Sequence, residues 1–182
     1  FIFNYNRYIN IYTGVSIASE VFEFARDKGS AVHLACKFLL EGRKLKEDSI
    51  DENIRPYLDE FQNCKDFQDF MATHKVLSLE NSYISHKYQY SGTPDIVVEG
   101  AIIDIKTTKE SMFTLEQVVA YATLVADADI TTLSDIKLYE LILQPDSAKF
   151  RELGTKEGEK EQAWNYFRSK LYEKQYLERR KI

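Results

Sequence analysis

Asp95, Asp104 and Lys106 are the residues whose types and spacing could do chemistry together. Asp95 closes Gly92-Thr93-Pro94-Asp95, and Asp104-Ile105-Lys106 follows the apolar run Ala101-Ile102-Ile103. Between the acids lie Ile96-Val97-Val98 and a turn at Glu99-Gly100, the pattern of two short strands joined by a tight hairpin. Such a hairpin folds Asp95 back beside Asp104. Strand side chains alternate between faces, so Asp104 and Lys106 share one face and Ile103 and Ile105 the other. Two carboxylates and an amine on one patch suit a hydrolytic metal site. A hard divalent cation takes carboxylate oxygens, and phosphodiester hydrolysis needs a nucleophilic water and a counter-charge for the phosphoryl oxygens. Lys106 would position that water or neutralise developing charge. Isolated aspartates are more often turn and strand-edge acids paired with surface lysines. Position weighs against that here, because a carboxylate inside an apolar strand is costly unless a cation or a tight partner satisfies it.

The elements that must position this patch are read from periodicity. From about Ser16 to Leu45, Val21, Phe24, Ala25, Val32, Ala35, Cys36, Leu39 and Leu40 recur as one broad helical face. Gly29 within it predicts either a break near Lys28 or a close approach, since glycine costs about 1 kcal/mol against alanine in a helix. His33 follows one turn later. Ile54 to about His74 reads as a second helical segment, with Pro56 near its start. Val76–Glu80 and Lys87–Tyr90 alternate as strands leading into the hairpin. Leu115 to about Val125 is helical again, with Gln117 and Tyr121 one turn apart. Ile136–Leu143 is a strand ended by Pro145-Asp146, the Gly154–Gly158 stretch a loop, and about Glu157 onward an amphipathic helix fraying beyond Glu178.

The chain has 182 residues, 44% of them hydrophobic, enough for one sizeable core. No run approaches the roughly 18 apolar residues of a membrane span, and the start Phe1-Ile2-Phe3-Asn4 lacks a secretory pattern. The expectation is an intracellular, cytoplasmic protein. A mitochondrial destination stays open, because the chain begins at Phe1 rather than Met. The formal net charge of −5, from 24 Lys+Arg against 29 Asp+Glu, argues against coating nucleic acid by bulk electrostatics alone. A local basic groove could use Arg26 and Lys28, Arg43, Lys44 and Lys46, Lys106 and Lys109, or Arg179, Arg180 and Lys181. Each of these clusters also reads as solvated surface. Cys36 and Cys64 are too few for a disulfide framework or a four-cysteine metal cluster.

Pro94-Asp95 followed by Asp104-x-Lys106 resembles the PD-(D/E)xK nuclease signature. Gly29-Ser30-Ala31-Val32-His33 resembles a G-x-x-x-H helix motif, Gly92-Thr93-Pro94-Asp95 a G-x-x-D motif, and Gln117-Val118-Val119-Ala120-Tyr121 a Q-x-x-x-Y motif. In that order they are similar to the RecB-type exonuclease branch, which includes phage recombination, CRISPR adaptation and mitochondrial genome-maintenance exonucleases. Any one motif is weak; four in sequence order make coincidence the minority reading.

The resemblance implies an α/β domain with a restriction-endonuclease-like core, a mixed central β-sheet flanked by helices in αβββαβ order. It divides the single nuclease domain into a helical part at about 16–74, a catalytic core at about 76–145 and a C-terminal helix at about 157–178. It implies Mg²⁺ or Mn²⁺ held by His33, Asp95, Asp104 and the Ile105 backbone carbonyl, with Asp95, Asp104 and Lys106 catalytic. Gln117 and Tyr121 would contact the substrate strand or brace the site. Glu80 stands where some relatives carry a further acid, although one glutamate ending a strand is more often solvated. The implied substrate is single-stranded DNA or DNA ends, in recombination, repair or genome maintenance, with recombination or replication proteins as partners and no membrane. Tyr121, Tyr88, Tyr90 and Phe113 could stack bases. Some relatives carry a four-cysteine iron–sulfur cluster, which these residues cannot supply. No Walker A loop is present, so any motor would belong to a partner. The alternatives are a non-catalytic DNA-binding or assembly subunit with a nuclease fold, and a restriction-type endonuclease.

Overall fold

Helical periodicity at both ends and strand periodicity in the middle translate into a sheet with helices on its two faces. The computed structural model describes residues 3–4, 19–108, 113–128 and 133–180. Residues 16–18, the Phe1-Ile2 start, Lys109 and Lys181, and the side chains of Val21, Phe24, Ala25 and Arg26, lie outside what is described.

A short strand β1 (Phe3–Asn4) is followed by α1 (Ser19–Leu40), which runs unbroken through Gly29. The break expected at Lys28 does not form. Gly29 marks a close approach instead: a Cβ there would stand 3.2 Å from Thr107 Oγ1. The segment expected as one helix from Ile54 to His74 is two, α2 (Arg55–Asn63) and α3 (Lys65–Thr73). Cys64 separates them with a non-helical ψ of 89°. Both backbone groups of Cys64 stay paired at the junction, since Cys64 N–H donates to Glu60 O and Gln68 N–H donates to Cys64 O, both at 2.9 Å. The bend lets Phe61 and Phe67 enter one core with ring centroids 5.2 Å apart.

Strands β2 (Val76–Leu79), β3 (Tyr83–Ser85), β4 (Tyr90–Gly92), β5 (Ile96–Val98) and β6 (Ala101–Lys106) come next, then α4 (Thr114–Ala126), β7 (Lys137–Gln144), β8 (Ser147–Leu153) and α5 (Glu159–Arg179). The main sheet has the order β2-β5-β6-β7-β8; a smaller one has β1-β4-β3. Within the main sheet only β6 and β7 pair in parallel. A parallel pair needs a long crossover, which α4 supplies. The β5–β6 hairpin forms as expected, with Val98 opposite Ala101 and Gly100 at φ +77°. Glycine occupies that left-handed region without a Cβ penalty.

Two strand expectations change. Lys87–Gln89 belong to a turn and β4 begins only at Tyr90. Tyr88 is still buried, in the turn, and Tyr90 at the start of β4. Pro145-Asp146 ends β7 and also reverses the chain into β8, with Gln144 opposite Ser147. β8 is a half-exposed edge strand with mixed polar residues, so its period is faint.

The sheet is covered on both sides. Val97, Ile102 and Leu138 meet Val118, Ala122, Trp164 and Phe167 of α4 and α5. Ile103, Ile105, Leu141 and Leu143 meet Val32, Leu58, Phe61 and Phe67 of α1 to α3. β6, buried on both faces, therefore reads as a nearly continuous apolar run. Asp104 sits inside it at 2% exposure. Among the described residues no helix is long and apolar enough to cross a membrane.

Candidate metal centre

The site is assembled from four elements. Helix α1 presents His33 and is held against the end of β6 through Gly29 and Thr107. Asp95 directly precedes β5, and its carbonyl accepts from the Glu80 N–H at 2.9 Å. That bond holds Glu80 at the end of β2 with φ +53°, an uncommon conformation for a residue with a Cβ. Backbone outliers of this kind cost about 1–3 kcal/mol and cluster at functional sites. The outcome is local convergence: His33 Nδ1 lies 3.2 Å from Asp95 Oδ1 and 3.7 Å from Glu80 Oε1. One ligand atom from each of the three lies within 4.8 Å of the others, a group that could hold a divalent ion.

A second set adjoins it. The hairpin brings β6 against β5, and the Ile105 N–H donates to Asp95 Oδ2 at 2.6 Å. Asp104 Oδ2 stands 2.7 Å from Lys106 Nζ, which in turn donates to Gln117 Oε1 at 2.6 Å. Gln117 Nε2 donates to the Tyr121 hydroxyl at 2.9 Å. Gly92 is the seat of that tyrosine, since a Cβ there would stand 2.8 Å from Tyr121 Cε1. The glycines at 29 and 92 thus serve contact rather than turn geometry.

Charge and burial oppose one another throughout the site. Burial pulls the His33 pKa down, but the carboxylates of Asp95, Glu80 and Asp104 outweigh it and hold it at about 10. Burial pushes Asp95 up, while His33, the Ile105 N–H and Lys106 leave it below the usual carboxylate range. For Asp104 burial dominates and Asp95 adds to it, so its carboxyl is raised to about 6 despite Lys106. Burial lowers Lys106, yet Asp104, Asp95 and Glu140 raise it overall, which keeps it an ammonium. The donor set, carboxylates and one imidazole, is rich in oxygen and suits a hard divalent ion. Such an ion would also favour the ionised form of Asp104, which burial opposes. The residues fit a divalent cation.

The sequence grouped His33 with Asp95 and Asp104. His33 and Asp95 do meet, Glu80 joins them, and Asp104 pairs with Lys106 beside the group. All three candidate base-stacking tyrosines are unavailable as platforms: Tyr88, Tyr90 and Tyr121 are buried. Tyr90 donates to Ala120 O and is a core residue, and Tyr121 braces Gln117. Phe113 is half-buried and stacks on Tyr166 with centroids 6.0 Å apart. Of the basic candidates, Lys28 donates to the Tyr57 hydroxyl and Arg43 pairs with Glu41. His74 stacks on Phe70, His86 lies in the exposed turn, and neither joins a metal-ligating group among the described residues. Cys36 and Cys64 are buried thiols.

Sequence reasoning passed over Glu140. It is fully buried, faces Asp104 across the β6–β7 ladder, and pairs with Arg151 of β8. The signal that exposed Asp104, an acid inside an apolar strand, was present in Leu138-Tyr139-Glu140-Leu141 as well.

No family model and no curated protein matches this chain. Among solved structures it is similar to a candidate exonuclease from Eubacterium rectale, with a TM-score of 0.54 and 10% identity over 78% of this chain and 64% of that one. It therefore spans less than two-thirds of that protein's length. Two further structures, the alkaline exonuclease LHK-Exo from Laribacter hongkongensis and its complex with dAMP, give TM-scores of 0.36 and 0.32 at 12% and 13% identity, each over 98% of this chain and 92% of the other. At such identity the likeness to the Eubacterium rectale protein is one of fold alone: an α/β architecture with a mixed central sheet flanked by helices, consistent with a restriction-endonuclease-like core.

Proposed function

We propose that this chain is a Mg²⁺- or Mn²⁺-dependent deoxyribonuclease, an exonuclease acting on single-stranded DNA or DNA ends in recombination, repair or genome maintenance. The observation that carries the reading is the meeting of His33, Glu80 and Asp95 from three separate elements beside the Asp104–Lys106 pair. His33, Asp95, Asp104 and the Ile105 carbonyl would hold the ion, with Glu80 as a further acid. When bound, a divalent ion supplies an activated water and offsets charge on the phosphoryl oxygens. The protein's own groups do the remainder. Lys106, fixed by Gln117 and Tyr121, offers ammonium hydrogens to the attacking water or to a phosphoryl oxygen. The Ile105 N–H fixes Asp95 by its second oxygen and so leaves the other, beside His33, for the ion.

The choice of DNA and of exonuclease over endonuclease rests on the four motifs from Gly29 to Tyr121. Incubating the purified protein with Mn²⁺ and end-labelled single- and double-stranded DNA tests it. Release of nucleotides or short oligomers, abolished by EDTA and by Asp104→Ala, is expected. Internal fragments would make it a restriction-type endonuclease. DNA binding without cutting, unchanged in Asp104→Ala, would make it a non-catalytic binding or assembly subunit.

A further inference from the structure

Asp104, Glu140 and Arg151 are direct neighbours across β6, β7 and β8, one row of charge laid over a buried sheet. Side chains two apart on a strand share a face, so Lys106 stands on the same side as Asp104. Glu140 is 0% exposed. One of its oxygens, Oε1, pairs with Arg151, while Oε2 is buried and has no hydrogen-bond partner among the described residues. An unpaired buried carboxylate oxygen is expensive, and each one in a folded protein calls for a reason.

Lys106 supplies the reason. Its ammonium has three hydrogens to place; it donates to Gln117 Oε1 at 2.6 Å and stands in an ion pair 2.7 Å from Asp104 Oδ2, an oxygen that has no aligned hydrogen bond among the described residues. A cation that takes Asp104 as a ligand competes for the oxygen the ammonium holds. Lys106 would then keep only a neutral amide. We propose that Glu140 is a positioning residue for Lys106, its free oxygen receiving the ammonium when Asp104 turns to the ion. Arg151, holding the other oxygen, fixes Glu140 in place from β8. The inference rests on the metal-centre reading given above and adds to it an anion that never touches the ion or the substrate.

A double-mutant cycle read by metal binding tests this. Mn²⁺ affinity is measured by calorimetry for the wild type, Glu140→Gln, Lys106→Met and the double variant. Without Glu140, the ammonium clings to Asp104 and resists the ion, so Glu140→Gln is expected to weaken Mn²⁺ binding about tenfold, the scale of groups that orient metal ligands. In the Lys106→Met background the same change is expected to do nothing. An equal loss in both backgrounds, or no loss in either, would overturn the inference, because Glu140 would then act as a distant charge or only hold β7 to β8. A wild type that binds no Mn²⁺ would overturn the metal-centre reading as well. Should Glu140→Gln not fold, Glu140→Asp keeps a charge for Arg151 while withdrawing it from Lys106, and the same pattern is expected of it.

Discussion

At the scale of single residues, His33 links the electrostatics of the site to its affinity for an ion. The surrounding carboxylates hold its pKa at about 10, above the ordinary 6.5, even though burial works the other way. A raised histidine stabilises the metal-free fold fully below pH 6.5, and that contribution is lost as the pH rises through about 10. Metal binding runs against it, since a cation takes only the neutral imidazole. Mn²⁺ affinity is therefore expected to rise with pH between about 7 and 9, by about tenfold per unit for one released proton. Calorimetry in buffers of different ionisation enthalpy would count that proton; an affinity flat across this range would contradict it. Below about 6 Asp104 adds a second proton to be displaced. Lys106 has the opposite role, acting on the reaction more than on the ion. Lys106→Met is expected to lower kcat about 10²–10³-fold without weakening Mn²⁺ binding, as for loss of one group that stabilises transition-state charge.

At the scale of elements, Gly29 and Gly92 are contact points. Gly92→Ala would place a methyl 2.8 Å from Tyr121 Cε1 and 3.0 Å from Leu124 Cδ1. Overpacking of this kind costs about 1–3 kcal/mol, so urea denaturation is expected to show a lowered midpoint at unchanged slope. The displaced ring would also loosen Gln117 from Lys106. An unchanged midpoint would mean that α4 can shift freely over β4. The β5–β6 hairpin was legible in the sequence because Ile96 to Ile105 carries two short apolar runs, a glycine turn between them and one misplaced acid. His33, Gln117 and Tyr121 were legible only through motif order. Glu80 was weakly so, since its importance lies in a backbone conformation that residue type does not announce. β3 and β8 were not legible: they are short or half-exposed, and what holds them is pairing with β4 and β7 rather than their own period. The split of α2 from α3 at Cys64 follows from packing Phe61 and Phe67 together, a tertiary demand with no local signature.

For the whole molecule, the sheet is the scaffold that turns separated residues into one rim. Its two apolar faces bind α1 to one side and α4 to the other, so His33 and Gln117 arrive at the same strand ends from opposite layers. Trp164 anchors α5 in the layer that carries α4, and Trp164→Ala is expected to destabilise the fold by about 3–5 kcal/mol. A smaller loss in thermal or chemical denaturation would show α5 to be peripheral. The net charge of −5 means that DNA is not drawn to the protein by its overall field. In the proposed function His33, Asp95 and Asp104 share one divalent ion. A crystal soaked with Mn²⁺ and measured at the manganese absorption edge tests it most directly. One anomalous peak bonded by His33, Asp95 and Asp104 is expected, with the Lys106 ammonium moved off Asp104 Oδ2; no peak there, with the Asp104–Lys106 contact intact, would rule the shared ion out.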